Sequence, residues 1–433
     1  MLEIGINLAV KTHEVKRAMI PALKKFNHRD KYKHNLELEN GAATALYQKL
    51  VIALASCERG EDAYVEIGMV CSALEMVYRC SSSAREKSFN EIGDELVRVY
   101  LRVIENCETV HAENGKDVIT KILLVFQYFA RVKKISIPFM NIPGTLNVLA
   151  LVVSSNYLHN AARATAMNTL ADLACAEANG EAMARVPLLF DSVVDVAYRD
   201  VSTETREAAA RAIQNIVFSI DNRLSTTAFE RLVKVLIHML KAKNLNIIKY
   251  ASGALQNVTT WEGCQIKLLE YKGGVAIDAL IKAISNLTEE TNEIRVRSLG
   301  IIINLTCEKT ASSLCTHKNL LRTLANAASF EINETAKKNA SDALFWLAED
   351  LKSNSVGQKQ LLDYIVKVAE NGNTSFFSKA IYEMSQHHSN RMIIAQHPRV
   401  VSLLEKLSNK NNSDTDTVGK DYSIKALSNL ARR

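Results

Sequence analysis

The chain has 433 residues, 48% of them apolar, with 53 basic against 47 acidic side chains and a formal charge of +6. That length and apolar share support a large buried core, and the near-balanced charge argues against a polybasic nucleic-acid or membrane-binding character. Only 5 Pro and 16 Gly punctuate the chain, far below average usage, which predicts an all-helical fold.

The opening MLEIGINLAVKTHEVKR has an acid at position 3 and a short, interrupted apolar run, so it does not read as a secretory signal. Residues 1–38 are expected to form an N-terminal helical cap that shields the first apolar face of the downstream helices. Within them, HRDKYKHN (28–35) fits the protein-kinase catalytic loop, with Asp30 as base and Asn35 as metal ligand. Only 27 residues precede it, too few for a nucleotide-binding lobe, and no Gly-rich loop, V-A-I-K lysine or D-F-G accompanies it. The match is coincidence. No P-loop, H-E-x-x-H or G-x-S-x-G motif occurs either, so neither enzyme activity nor a cofactor is expected.

Eight cysteines (57, 71, 80, 107, 175, 264, 307 and 315) include no C-x-x-C pair. They read as reduced thiols of an intracellular protein, cytoplasmic or nuclear. No stretch approaches roughly 18 uninterrupted apolar residues, and no membrane insertion is expected.

From residue 39 onward the chain repeats itself. SGALQNVTT (252–260) puts an amide, Asn257, inside a helical apolar pattern, and the same shape recurs around Asn215, Asn304 and Asn429. Taking the amide as a register mark, the series is Asp172, Asn215, Asn257, Asn304, Trp346, Glu383 and Asn429, with steps of 43, 42, 47, 42, 37 and 46 residues. Backward extension puts Tyr128 and Met76 at the mark, less regularly. The long steps carry polar insertions, SNLTEETNE and SNKNNSDTDTVGKD, just before the marked helix, where added loop length costs little.

The clearest copy opens with a short helix in WEGCQIKLLEYK and turns at Gly273-Gly274. A second helix comes next in VAIDALIKAI and a third in EIRVRSLGIIINLTC. The last copy reads NRMIIAQH, Pro398, VVSLLEKL and DYSIKALSNLAR, with Pro at a helix start. KLLEYKGGVAIDALIKAI followed by GIIINLTC resembles the armadillo repeat. The resemblance implies a right-handed all-α solenoid of about nine three-helix repeats: degenerate ones over 39–155 and regular ones over 156–433, in one continuous stack. HEAT repeats, with two helices per unit and no amide mark, are the neighbouring alternative.

The resemblance further implies that third helices line a concave groove. There Asn215, Asn257, Asn304 and Asn429 would hold a peptide backbone, since a carboxamide both donates and accepts. The competing reading is a helix-end amide kept by repeat ancestry. Import adaptors of this family carry Trp four residues before the Asn. Here those positions are Asn168, Arg211, Gly253, Gly300, Asp342, Lys379 and Lys425, which argues against that function. Positions 4, 7 or 8 before a mark share its helix face and include Arg211, Lys249, Arg297, Lys338, Lys379 and Lys425. They predict a basic stripe, and Trp346 is a candidate aromatic anchor. His387, His388 and His397 are expected to be exposed at helix ends rather than to bind metal. The expected partner is a protein, as an extended peptide of acidic or neutral character. A nuclear-import-type adaptor, a nucleic-acid-binding solenoid and a structural subunit of a larger complex are the alternatives. The sequence does not fix the oligomeric state.

Overall fold

The computed structural model describes residues 67–432 apart from scattered positions before 82 and short segments at 110–112, 156, 187–188, 201, 220–225, 262, 287, 351–355 and 410–416. The expected N-terminal cap, the kinase-like octapeptide and the Met76 mark lie outside the described residues. Every regular element among the described residues is helical, and no single helix is long and apolar enough to cross a membrane.

The described chain divides into two compact units, one ending at Val148 and including Tyr157–Thr169, the other made of Leu149–Asn156 and Leu170–Arg433. In the first unit, α1 (Ser82–Thr109), α2 (Glu113–Ala130) and α3 (Lys133–Met140) pack around an aromatic core. Phe129 lies at its centre, 5.2 Å from both Tyr78 and Phe89 and 6.0 Å from Phe139 between ring centroids, in the tilted and edge-on arrangements that aromatic quadrupoles favour. The buried Tyr78 hydroxyl is satisfied by Ser88 Oγ at 2.6 Å. Tyr128, one of the early marks, lies on α2 with the Arg85 guanidinium 5.2 Å from its ring centroid.

Two further helices, α4 (Thr145–Ser154) and α5 (Asn160–Leu173), each contribute residues to both units. The second unit continues through α6 (Glu177–Arg185), α7 (Leu189–Arg199) and α8 (Thr203–Ser219), then α9 (Thr226–Leu240) and α10 (Leu245–Val258). The copy that was clearest in sequence forms α11 (Cys264–Glu270), α12 (Val275–Ser285) and α13 (Asn292–Leu305). After it come α14 (Ala311–Thr316), α15 (Leu320–Phe330) and α16 (Glu334–Asp350), then α17 (Val356–Glu370) and α18 (Thr374–Gln386). The last copy is α19 (His388–Gln396), α20 (Pro398–Ser408) and α21 (Thr417–Ala431). Each third helix packs on the next, α8 on α10, α10 on α13, and onward to α21, while second helices pair in a parallel row, α12 with α15. This is an all-α solenoid of repeated helical units. In the short 37-residue step, α17 packs against both α14 and α15 and so takes the places of a first and second helix together.

Local chemistry fixes the corners. The turn from first to second helix needs a left-handed residue, supplied by Gly274 at φ 92° and, one repeat later, by Asn319 at φ 67°. Two third helices, α10 and α16, start at side-chain caps: Asn244 Oδ1 accepts the Ile247 N–H at 3.0 Å, and Asn333 Oδ1 accepts that of Ala336 at 2.9 Å. Their inner faces are apolar at helical spacing, as in Ile247, Ala251, Ala254, Leu255 and Val258 of α10, all buried.

Candidate functional site

All seven register marks fall on third helices, near their C-terminal ends. The flanking positions bury as the pattern requires: Leu255 and Val258 beside Asn257, and Ile302 and Leu305 beside Asn304, are inside. The amides themselves are half-buried, except Asn429, which is buried. Each reaches back to the preceding third helix. Asn215 Nδ2 donates to Ala171 O at 2.8 Å, Asn257 Nδ2 to Gln214 O at 3.3 Å, and Asn304 Nδ2 to Gln256 O at 3.2 Å. In all three the acceptor is the residue immediately before the preceding mark. Ala171 and Gln256 belong to the last turn of their helices, where backbone acceptors lack intrahelical partners, whereas Gln214 lies one turn further in. Asn429 Nδ2 instead donates to Ser385 Oγ at 3.1 Å. Only the amino group is engaged in this way: among the described residues the carboxamide oxygens of Asn257 and Asn304 accept no hydrogen bond.

Two turns earlier a second tier repeats the same offset. Arg297 Nη1 donates to Lys249 O at 2.7 Å, and Asn339 Nδ2 donates to Val296 O at 3.3 Å. Arg297 crosses α10 altogether to reach Gln214 Oε1 on α8 at 3.2 Å. It can do so because position 253 is glycine; a Cβ there would overlap both the guanidinium and the Gln214 carboxamide. Gly300 plays the same part for Gln256 on the next rung. The glycines that stand where import adaptors carry Trp are therefore crossing points for polar side chains.

The six basic positions divide into two groups. Arg211 pairs with the buried Asp172 carboxylate at 2.9 Å; Lys249 and Arg297 share Glu293, at 3.2 and 2.6 Å. These three cations meet acids of their own chain. Lys338, Lys379 and Lys425 are exposed and make no ion pair among the described residues. Lys379 Nζ lies 4.4 Å from the Phe345 ring centroid and Lys425 Nζ 5.4 Å from that of Tyr422. Between α16 and α18 opens a cleft of about 560 Å³ whose lining includes Lys337, Lys338, Phe345, Phe376 and Lys379 together with the acids Glu334 and Asp342. Trp346, 43% exposed, stands edge-on to Phe345 at 5.5 Å. Beyond it Glu383 has its carboxyl raised above the usual range, by burial first and then by the neighbouring Glu349 charge.

Sequence reading alone missed Gln214, Glu293, Phe345 and Phe376. The signal for Glu293 was present, since it lies four residues before Arg297 on one helix face. Phe345 and Phe376 carried none, because lining one cleft depends on how two helices dock. Of the histidines, His388 is exposed, but His397 is buried and its Nε2 lies 3.1 Å from Asp363 Oδ1, contrary to the expectation of exposure. It sits where α20 begins and is covered by the α17 side chain it meets. No group of three or more His, Cys, Asp or Glu side chains among the described residues is arranged to hold a metal ion.

No family model matches the chain, and no curated protein matches it. Solved structures do. An engineered protein superposes with a TM-score of 0.61 at 16% identity, covering 91% of this chain and 95% of its own. That likeness shows the fold alone, an all-α stack of repeated helices. A computationally designed armadillo repeat protein for modular peptide recognition is similar at 18% identity over 57% of this chain and 98% of its own, with a TM-score of 0.46. A designed armadillo repeat protein in complex with the peptide (KR)4 is similar at 17% identity over 66% of this chain and 99% of its own, with a TM-score of 0.42.

Proposed function

We propose that the chain is a non-enzymatic interaction scaffold that holds an extended segment of a partner protein along its row of third helices. The observation that carries the reading is the spare half of the amide ladder. Asn257 and Asn304 spend their N–H groups on the neighbouring helix and keep an oxygen for a ligand N–H. Packed helices lie roughly 8–10 Å apart and an extended peptide advances roughly 3.3–3.6 Å per residue, so successive rungs meet the backbone about every third residue. The free lysines stand later in the row, at Lys338, Lys379 and Lys425. The partner segment is accordingly neutral where it passes the amides and acidic where it passes the lysines. The self-neutralised cations at Arg211, Lys249 and Arg297 leave little field for a phosphate backbone over that part of the row.

Affinity capture from native lysate tests this with three baits: wild type, Asn257→Ala/Asn304→Ala and Lys338→Glu/Lys379→Glu. Thermal melts confirm that each bait is folded. The expected outcome is one protein that is captured by wild type and lost, by about tenfold or more, from both variants. Capture that is indifferent to both pairs of changes removes the third-helix row from the function.

A further inference from the structure

A second surface lies away from the third helices. Second helices α12 and α15 enclose a cleft of about 510 Å³, with Ile281, Ile284 and Ala327 among its apolar walls and Phe330 at its end. No third-helix residue lines it. Two bulky apolar side chains stand out into solvent at or just past the end of α15: Phe330, which lines the cleft, is 63% exposed, and Ile332, two residues on and outside the lining, is 94% exposed.

This exposure is held in place. Glu331, between the two, is buried and takes a two-pronged ion pair from Arg295 of α13, Nε at 2.9 Å and Nη2 at 3.0 Å. Its Oε1 also accepts the N–H groups of Ile332 at 3.1 Å and Asn333 at 3.2 Å. The remaining Arg295 donors go to Asn286 O and Thr288 O, both at 2.8 Å, and to the Asn292 side chain. One buried guanidinium thus ties the loop after α12 to the loop after α15, and the backbone bonds fix Ile332 facing outward. Burying an ion pair is costly, and replacing such a pair by apolar groups commonly leaves stability unchanged or raised. Keeping it here to present two apolar side chains to water is not explained by the stability of this chain.

We propose that this cleft and its rim dock an amphipathic helix of a partner protein, which buries an apolar side chain against Phe330 and Ile332 and brings a carboxylate to Arg322. The charge is set by the lining. Its two charged side chains are Arg322 and Glu331; Glu331 is neutralised by Arg295, whereas Arg322 is exposed and makes no ion pair among the described residues. The helical form follows from the lining, which lacks the repeated amide ladder that would hold an extended backbone along the third helices. A helix arrives with its own backbone satisfied and needs only side-chain contacts. Its apolar and acidic residues stand three or four apart, so that both face the cleft. Preorganisation of the rim removes an ordering cost that a mobile loop would carry.

The test uses a display library of helix-forming peptides of about 20 residues, selected on the full chain, with enriched peptides measured by fluorescence anisotropy and circular dichroism. The expected result is enrichment of apolar residues at i and i+3 or i+4 with Asp or Glu one turn away. Binding should weaken about tenfold or more both in Phe330→Ser/Ile332→Ser and in Arg322→Glu, and stay unchanged in Asn257→Ala/Asn304→Ala. The substituted side chains are exposed, so the fold is kept. Binders that lack an acid, bind as extended chains, survive either rim variant or fail in the amide variant would each overturn the proposal, as would a library that yields no binder. So would a wild-type dimer that dissociates in the Phe330→Ser/Ile332→Ser variant, which would make the occupant a second copy of this chain.

Discussion

The Cys315 thiol shows how far this interior suppresses side-chain chemistry. Burial pushes it from its ordinary value of 9.0 up to about 12, and does the same to Cys71; Cys264 rises to about 11. Desolvation penalises the thiolate in each case, so none of these sulfurs is poised as a nucleophile. The same shifts give stability a pH dependence. In the unfolded chain the thiols ionise from about pH 9, while in the folded chain they hold their protons until about 11 or 12. Their contribution is whole below the unfolded value and is lost as pH rises through the folded one. Urea midpoints should therefore be steady up to about pH 8.5 and fall by about pH 10.5, with a shallower fall in Cys315→Ala, which removes one of the titrating groups. Equal slopes in the two proteins would show that Cys315 ionises alike in the folded and unfolded states.

Among elements, the junction between α13 and α15 is a buried polar one, and it rests on Arg295. Its side chain and that of Glu331 are 3% and 2% exposed. Removing one partner strands a buried charge, so Arg295→Met should destabilise by roughly 3–5 kcal/mol. The double change Arg295→Met/Glu331→Gln should recover part of that loss, because no charge is then left unpaired. Urea denaturation of the two variants checks both statements. The amide marks were legible in sequence because a helix face is a matter of spacing, and all seven landed on third helices. The turn glycines were legible by residue type, since a left-handed corner favours glycine. What those amides bond to was not, since Asn304 and Gln256 are 48 residues apart and Arg297 and Gln214 are 83. Spacing within one helix says which side chains share a face, but not which carbonyl of the next helix comes within reach. The basic stripe shows the same limit. Six positions look alike along the chain, yet three of them meet acids in space.

For the second unit as a whole, the row of packed helices sets how it comes apart. Each repeat touches its neighbours and little else, so stability is closer to a sum of local terms and interfaces than to a single cooperative total. Leu299 on α13 is fully buried and sits near the middle of the row. Leu299→Ala removes its packing and leaves a cavity, at a cost of roughly 2–5 kcal/mol. In a globular core that loss would lower one transition without splitting it. In a stack it is borne locally, because α19, α20 and α21 pack among themselves and against α17 and α18, not against α13. The expected result is a urea transition that broadens or divides, with amide exchange accelerated across α10, α13 and α16 and unchanged in α19 to α21. The inter-repeat amide bonds oppose this division, since each Asn couples its helix to the one before. Adding Asn304→Ala to Leu299→Ala should therefore sharpen the split. If exchange instead accelerates uniformly through α21, the repeats are coupled strongly enough that a partner bound anywhere along the row would stabilise all of it.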